Sequence, residues 1–345
     1  MKLNFDGTSH GSGYSGTISQ LPLGFSIDVK EVNRLLKLRK CGYGRSVRQH
    51  TERDVVEFFN GLDNGIIVDD IQFQLHNRKH SAKQPFTAIR PNHADWAASV
   101  RYGTTDLRLL SERASARNSV GYVIGGAIAK QILQQVGITT TSHTLQVGDV
   151  VARNNDCEGN NEMSCLDSNA NKLMMLQIDN ARANGDSLGG KTVVVARGVP
   201  AGIGDTMPYS KRIDGIIAGA LMSIPSVKAV EIGLGTEFAS IGGRQSIDKV
   251  RWNDGVEYIT NNCGGVTGGI TNGADIVVTL TVKPIPTVPN VDSVDISTGE
   301  TVTQMYERAD TCVVPNVGTI AECVLAMVLL DEIQHSEVYS HLLKK

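Results

Sequence analysis

The 345-residue sequence has no excess of positive charge: 33 Lys and Arg face 36 Asp and Glu, a net charge of −3 with His neutral. A dedicated nucleic-acid binder usually carries a basic domain, so that class is disfavoured. No run approaches the roughly 18 uninterrupted apolar residues of a membrane helix. The opening MKLNFDGTSHG lacks the apolar core of a signal peptide. Six cysteines with no C-x-x-C pair make neither a disulfide framework nor a structural zinc site, and no metal is expected. The closest two, Cys157 and Cys165, read as reduced thiols of a cytoplasmic protein, with a disulfide as the alternative. There is no G-x-G-x-x-G between a strand and a helix, no Walker A sequence, no internal repeat and no clear linker. One domain over residues 1–345 is therefore expected. At 41% apolar and 20% charged it has an ordinary globular composition and enough chain for a substantial core.

What is present begins with FDGTSHG at Phe5–Gly11. Its glycines let the backbone turn tightly and approach a ligand, and His10 titrates near neutral pH. A solvated loop is the plainer reading. Thr17–Leu21 reads as a short strand, and Asp28 with Glu31 as a capping box for a helix bearing Val29, Val32 and Leu36. Its exit is rich in cations: Arg39, Lys40, Arg45 and Arg48. Arginine forks match phosphate and carboxylate oxygens, although a solvated basic loop has the same composition. Val55–Phe59 reads as a strand, and Gly61–Pro91 as polar and irregular. RPNHADW carries a second loop histidine, His93. The basic stretch Leu107–Arg117 leads into SVGYVIGGAIAKQIL, an interior helix whose small residues permit close packing. Residues 152–170 form a polar loop, and Asn171–Arg182 an amphipathic helix. TVVVAR, Lys228–Gly233 and Ile276–Lys283 read as strands, and Arg212–Leu221 and Ala321–Leu330 as helices. Strands and helices alternate without a clean βαβ rhythm, which gives α/β or α+β. Gly264–Gly265 and Gly268–Gly269 read either as a turn or as a backbone platform for a flat ligand.

In order along nearly the whole chain stand GTSHG, GYGRSVR, RPNHAD, ERASAR, GAIAK, GDSLGG, LMSIPSVKAVEIG, GGVTGGITNG, KPIPT and RADTCVVPN. This series resembles the chorismate synthase family. The resemblance implies an α+β fold, a β–α–β sandwich with a helical layer between antiparallel sheets, and a homotetramer. It implies elimination of phosphate from 5-enolpyruvylshikimate 3-phosphate to give chorismate with reduced FMN, a redox-neutral 1,4-elimination. By the same resemblance His10 donates a proton to the departing phosphate and His93 keeps the reduced flavin correctly protonated. Asp310 assists proton removal, and Ser9 and Ser115 support the network. Arg39, Arg45, Arg48, Arg117 and Arg308 match substrate-binding arginines. Lys283 and Thr287 match the FMN phosphate side, and Gly268, Asn272 and Ala116 match positions close to the flavin. No room is left beyond the family core for a flavin-reducing domain, so an external flavin reductase or free reductant is expected.

The sequence departs from the family pattern in several places. Asn92 stands for a glycine, Asn118 for a glutamate, Ser119 for a threonine, Tyr122 for an arginine, Ala309 for a histidine and Asn316 for an arginine. Gly65–Val68 replaces a TTG segment. Two other readings remain: a homologue that binds FMN or a phosphorylated ligand without turnover, and a phosphate-binding protein with no flavin.

Overall fold

The computed structural model describes residues 1–9, 11–46, 54–77, 84–304 and 309–345. His10, Arg48 and Arg308 lie outside them. The N-terminal hairpin joins β1 (Lys2–Gly7) to β2 (Gly13–Ser19), so strand structure begins earlier than the sequence reading placed it. The glycine loop is correspondingly short. Helix α1 (Val29–Leu38) follows, capped by Asp28, whose side chain accepts from Lys30 N at 2.8 Å. The expected capping box is not formed: Glu31 pairs instead with Arg34, one turn on, at 2.6 Å.

β3 (Val56–Asp63) and β4 (Ile66–His76) form a second hairpin, and the antiparallel sheet runs β1-β2-β4-β3. This corrects the reading of Gly61–Pro91 as irregular. The turn is Asn64-Gly65, both at positive φ (48° and 81°), whose twist matches that of the flanking strands. Ile71, Phe73 and Leu75 face the core and alternate with Gln72, Gln74 and His76. The polar outer face hid a period of two.

Helices α2 (Asp95–Tyr102) and α3 (Leu107–Arg113) lead through a one-turn 3-10 helix, Ala116–Asn118, into α4 (Ser119–Gln134). A second sheet is built from β5 (Thr139–Val147), β6 (Val150–Val151), β7 (Gly190–Arg197), β8 (Val227–Ile232) and, after two short hairpins, a central strand. The hairpins are β9 (Val250–Trp252) with β10 (Val256–Tyr258), and β11 (Val266–Thr267) with β12 (Ile270–Thr271). The central strand is β13 (Ile276–Val282), and the order is β6-β5-β7-β13-β8, antiparallel throughout. On β13, Ile276, Val278, Leu280 and Val282 face the core in strict alternation. Helices α5 (Ser168–Ala183), α6 (Ile213–Met222) and the short α7 (Gly243–Ser246) flank this half. The pair β14 (Asp292–Val294) and β15 (Thr301–Thr303) precedes α8 (Val314–His335).

α8 begins seven residues before the expected Ala321. Pro315 sits in the first turn, where a proline is tolerated because its missing N–H has no partner to lose. By length and composition α8 could cross a membrane, but most of it is buried. It lies against α4 on one side and β5 and β7 on the other, while α4 lies against α1, β1 and β2. The helical layer between two antiparallel sheets is thus present, and the fold is mixed α+β. All six cysteines are free, and burial pushes the Cys323 thiol up to about 12.

The α4–α8 contact is set by Gly126. A Cβ there would stand 2.2 Å from Cys323 Cβ and 2.5 Å from its Cα. Gly126→Ala is expected to force the helices apart and to cost about 1–3 kcal/mol through overpacking, read as a lower midpoint in denaturant unfolding.

Candidate active site

The C-terminal end of α1 is where the site begins. Val32, Leu35 and Leu36 anchor the helix in the core, which buries Arg39 and Lys40 just past its last turn, each 4% exposed. Buried cations need partners. Arg39 NH2 donates to Asp54 Oδ2 at 2.6 Å and its NH1 to Ser119 Oγ at 3.2 Å. Arg117 NH2 donates to Asp54 Oδ1 at 3.1 Å, and Lys40 Nζ stands 3.6 Å from Oδ2. One carboxylate therefore ties the exit of α1 to the 3-10 turn before α4. Ser115 shapes that turn by accepting from Arg117 N at 3.2 Å, and Ser119 Oγ donates to Ala116 O at 2.7 Å.

The chain then turns through Gly42–Gly44. Gly44 (φ +94°) lies so close to Cys312 that a Cβ would stand 2.8 Å from the Cys312 Cβ. Thr311 N donates to Gly44 O at 2.8 Å, and the approach places Arg45 beside Asp310. Arg45 NH1 donates to Asp310 Oδ2 at 2.8 Å and Ser46 N to Oδ1 at 2.7 Å. Burial lowers the Arg45 pKa, a shift that the Asp310 charge opposes; the pattern at Arg39 is the same, with Asp54 opposing burial.

These groups face one cavity of about 270 Å³, with Ser9, Arg39, Arg45, Ser115, Ala116, Arg117 and Asp310 in its wall. Every expected substrate arginine among the described residues lines it. Pro225, Ser226 and Ile285 close one side, and Asn316, Val317 and Ile320 of α8 another. A larger cavity of about 690 Å³, bordered by Tyr43, Glu162, Arg182 and Thr287, shares Arg45, Ser46, Ala309 and Asp310 with it. The Nε atoms of Arg39 and Arg45 are buried without a hydrogen-bond partner among the described residues. Such donors suit an anionic oxygen.

The other expected positions lie apart. His93 Nδ1 is 2.7 Å from Asp95 Oδ1, and Arg90 forks onto the same carboxylate through Nε and NH2, both at 2.8 Å. Arg90 NH2 also stands 3.1 Å from His93 Nδ1, so the ring is held by both members of the fork. Lys283 Nζ donates to Asn92 O at 2.5 Å, and its backbone N to Ser226 O at 2.9 Å, which links the RPNHAD loop to the rim of the smaller cavity. Gly268 O accepts from Arg212 NH1 at 3.2 Å on the β11–β12 hairpin. Asn272 Oδ1 accepts from Ala274 N at 3.0 Å, while its Nδ2 is buried without a partner. His93, Lys283, Gly268 and Asn272 line neither cavity; Thr287 lines only the larger. Their donor set nevertheless fits a flavin nucleotide: an ammonium and a hydroxyl for a phosphate, and a free amide N–H for a ring carbonyl.

Several departures have a structural account. Asn92 sits at φ +60°, the left-handed region that glycine adopts freely and asparagine tolerates. Asn118 accepts from the Tyr14 hydroxyl at 2.9 Å and donates to Arg113 O at 2.6 Å. Burial pushes that hydroxyl up to about 12, which keeps it a donor at any ordinary pH. Tyr122 packs edge-on against Phe5 at 5.9 Å between ring centres. Asn316, in the first turn of α8, donates to the carbonyls of Leu38 and Cys41 and so fixes the turn that carries Arg39 and Lys40. Nothing in the structure explains Ala309, which borders both cavities.

Sequence reasoning missed Asp54, the bond from Arg39 to Ser119 and the Arg90–Asp95 fork as parts of these networks. The fork had a usable signal, since Arg90, His93 and Asp95 fall within six residues. Asp54 had none: its partners Arg39 and Arg117 are 15 and 63 residues away.

Asp95 is fully buried. Burial alone would raise its pKa, but the hydrogen bonds from Arg90 and His93 outweigh it and hold the carboxyl well below the usual range. A depressed carboxylate adds stability that is present above the unfolded pKa of about 3.9 and is lost as pH falls toward the folded value. Asp95→Asn is expected to cost about 3–5 kcal/mol at pH 7 by leaving Arg90 unpaired. The gap from the parent protein should narrow as pH falls below about 4, which urea unfolding at a series of pH values measures.

Comparison with known proteins agrees with this geometry. The family model described as chorismate synthase matches residues 1–334. The chain is 37% identical over 349 residues to a chorismate synthase of Carboxydothermus hydrogenoformans, covering 94% of this chain and 91% of that one. It is 36% identical over 356 residues to chorismate synthase 2 of Bacillus cereus, with the same coverage. A crystal structure of chorismate synthase superposes with a TM-score of 0.78 at 29% identity, covering 96% of this chain and 91% of that chain. The chain belongs to the chorismate synthase family.

Proposed function

We propose that the chain converts 5-enolpyruvylshikimate 3-phosphate to chorismate and phosphate, with reduced FMN as cofactor. The observation that carries this reading is the single cavity bordered by Arg39, Arg45, Arg117, Ser9, Ser115 and Asp310. A substrate with a phosphate and two carboxylates needs guanidinium forks on more than one side, and this cavity supplies them.

In the proposed mechanism the arginines bind the three anionic groups and fix the ring so that the C3–O bond to phosphate can break. His10, next in sequence to the cavity residue Ser9, gives its proton to the leaving phosphate, as suits a histidine beside an anion. Asp310 assists removal of the C6 hydrogen, and Arg45 and Ser46 N hold its carboxylate in place. Loss of that proton and of phosphate leaves the new double bond, so the elimination balances without net oxidation. Reduced FMN, when bound, supplies transient electron density as the C–O bond breaks and takes part in removing the hydrogen. Ala116, Asn272, Lys283 and Thr287 would hold it, and His93, oriented by Asp95, would hold a proton near it. An external reductase or free reductant supplies the reduced form. A homotetramer is part of the proposal, and the exposed Phe59, Val68, Trp252 and Tyr209 support burial of further surface between copies. Light scattering of the purified chain tests the assembly.

The deciding experiment is anaerobic turnover of the substrate with chemically reduced FMN, following chorismate absorbance and phosphate release together. Matched appearance is expected. Binding of both ligands with neither product would instead make the chain a homologue that kept its site and lost its chemistry. His10→Ala is expected to lower kcat about 10²–10⁴-fold with little change in KM, because a proton donor acts in the transition state. Unchanged turnover would remove His10 from that role.

A further inference from the structure

Arg39 and Arg117 reach the smaller cavity from different elements, and what they share is one buried carboxylate. We infer that Asp54 is the positioning residue of the anion cradle, setting the spacing and direction of two guanidinium groups that face the ligand while it does not. The geometry is specific. Oδ2 takes Arg39 NH2 at 2.6 Å and Oδ1 takes Arg117 NH2 at 3.1 Å, so each oxygen is committed to a different arginine. The carboxylate is 2% exposed, and the Arg39 side chain 5%. It lines neither cavity, whereas both arginines line the smaller one. Arg39 is held a second time by Ser119 Oγ, and its remaining Nε is buried with no partner among the described residues. Asp54 therefore never meets the substrate; it acts by aiming groups that do.

The alternative role is charge balance alone, in which any negative charge at this place would serve. Asp54→Glu separates the two, because it keeps the charge and displaces both oxygens by one methylene. Misplacing a binding group by an ångström costs up to about 100-fold. The inference rests on the proposed function only for its kinetic arm, so a second readout uses inorganic phosphate as the probe: the rise in melting temperature that phosphate produces in the full-length protein.

For Asp54→Glu, KM for the phosphorylated substrate is expected to rise about tenfold or more with kcat changed much less, and the phosphate-induced melting shift to shrink. Combining it with Arg117→Ala should cost less than the sum of the two single changes, since residues acting through one another are not additive, and what remains reports on Arg39. An unchanged KM and an unchanged phosphate shift in a folded Asp54→Glu protein would overturn the inference and leave Asp54 a counter-charge. If Asp54→Glu does not fold, Asp54→Asn is measured in the same way; a lower KM there, from added positive charge, also overturns it. Failure of both variants to fold assigns Asp54 to stability rather than positioning. Absence of turnover in the parent protein with a phosphate shift that depends on Asp54 would sink the proposed function and keep this inference. Absence of any phosphate shift in the parent would sink the inference itself.

Discussion

The helical layer depends on two helices touching backbone to backbone. Gly126 leaves no side chain where α4 meets Cys323 of α8, so the two can lie close enough to fill the space between the sheets. Interiors are packed as densely as crystals, and a crossing of this kind has little slack. The position of α4 fixes the 3-10 turn at its N-terminus, and with it Arg117, Ser115 and Ser119. The position of α8 fixes the strand of chain just before it, and with it Asp310. The site is what these two helix starts and the end of α1 leave between them. A change in the crossing would therefore reach the cavity without touching a residue in its wall.

Electrostatics explains why that meeting place suits a small polyanion. Removing a cation from water costs several kcal/mol, and pairing recovers this only with good geometry. Asp54 and Asp310 supply that geometry to Arg39, Arg117 and Arg45, but the Nε donors of Arg39 and Arg45 are left over among the described residues. A buried donor without an acceptor carries a penalty in the unliganded protein. The three arginines line the cavity, so an anion there meets their positive charge. The residues thus favour a ligand with several charged oxygens over a neutral one of similar size, whatever its ring chemistry.

Local signals made much of the fold legible. The alternation of β13, the small residues of α4 and the apolar positions of α1 each announce an element from within a dozen residues. The four-stranded sheet was misread although its Asn64-Gly65 turn and the alternation after it were in plain view, because its outer face is polar and diluted the apolar count. α8 was expected from Ala321, but its first turn already begins at Val314 with Pro315 inside it, where a proline costs the helix nothing. At the site, the residues carried by short motifs were legible and those defined by distant partners were not. Asp54 has no neighbour in sequence that reveals its role; only the fold brings Arg39 and Arg117 to it. The positions expected around a flavin show the converse. Ala116 and Thr287 border different cavities and Asn272 neither, so the common role that the motifs imply is not gathered in the wall of one cavity.

Three of the departures from the family pattern have a local physical account. Asn92 replaces glycine where the backbone is left-handed, and asparagine is among the few residues that enter that region at small cost. Asn316 replaces a longer arginine, yet its amide reaches the carbonyls of Leu38 and Cys41 from the first turn of α8. Those carbonyls flank Arg39 and Lys40, so the amide holds the turn that supplies the cradle. Asn118 replaces a carboxylate, yet it both accepts from Tyr14 and donates to Arg113 O, which a carboxylate cannot do. At Asn118 and Asn316 a neutral amide satisfies the backbone or hydroxyl groups presented to it. The arginines and carboxylates that face the cavity at Arg39, Arg45, Arg117 and Asp310 are kept. Two positions of the cavity wall have themselves changed, Asn316 for an arginine and Ala309 for a histidine, so among the described wall residues an anion is left to Arg39, Arg45 and Arg117.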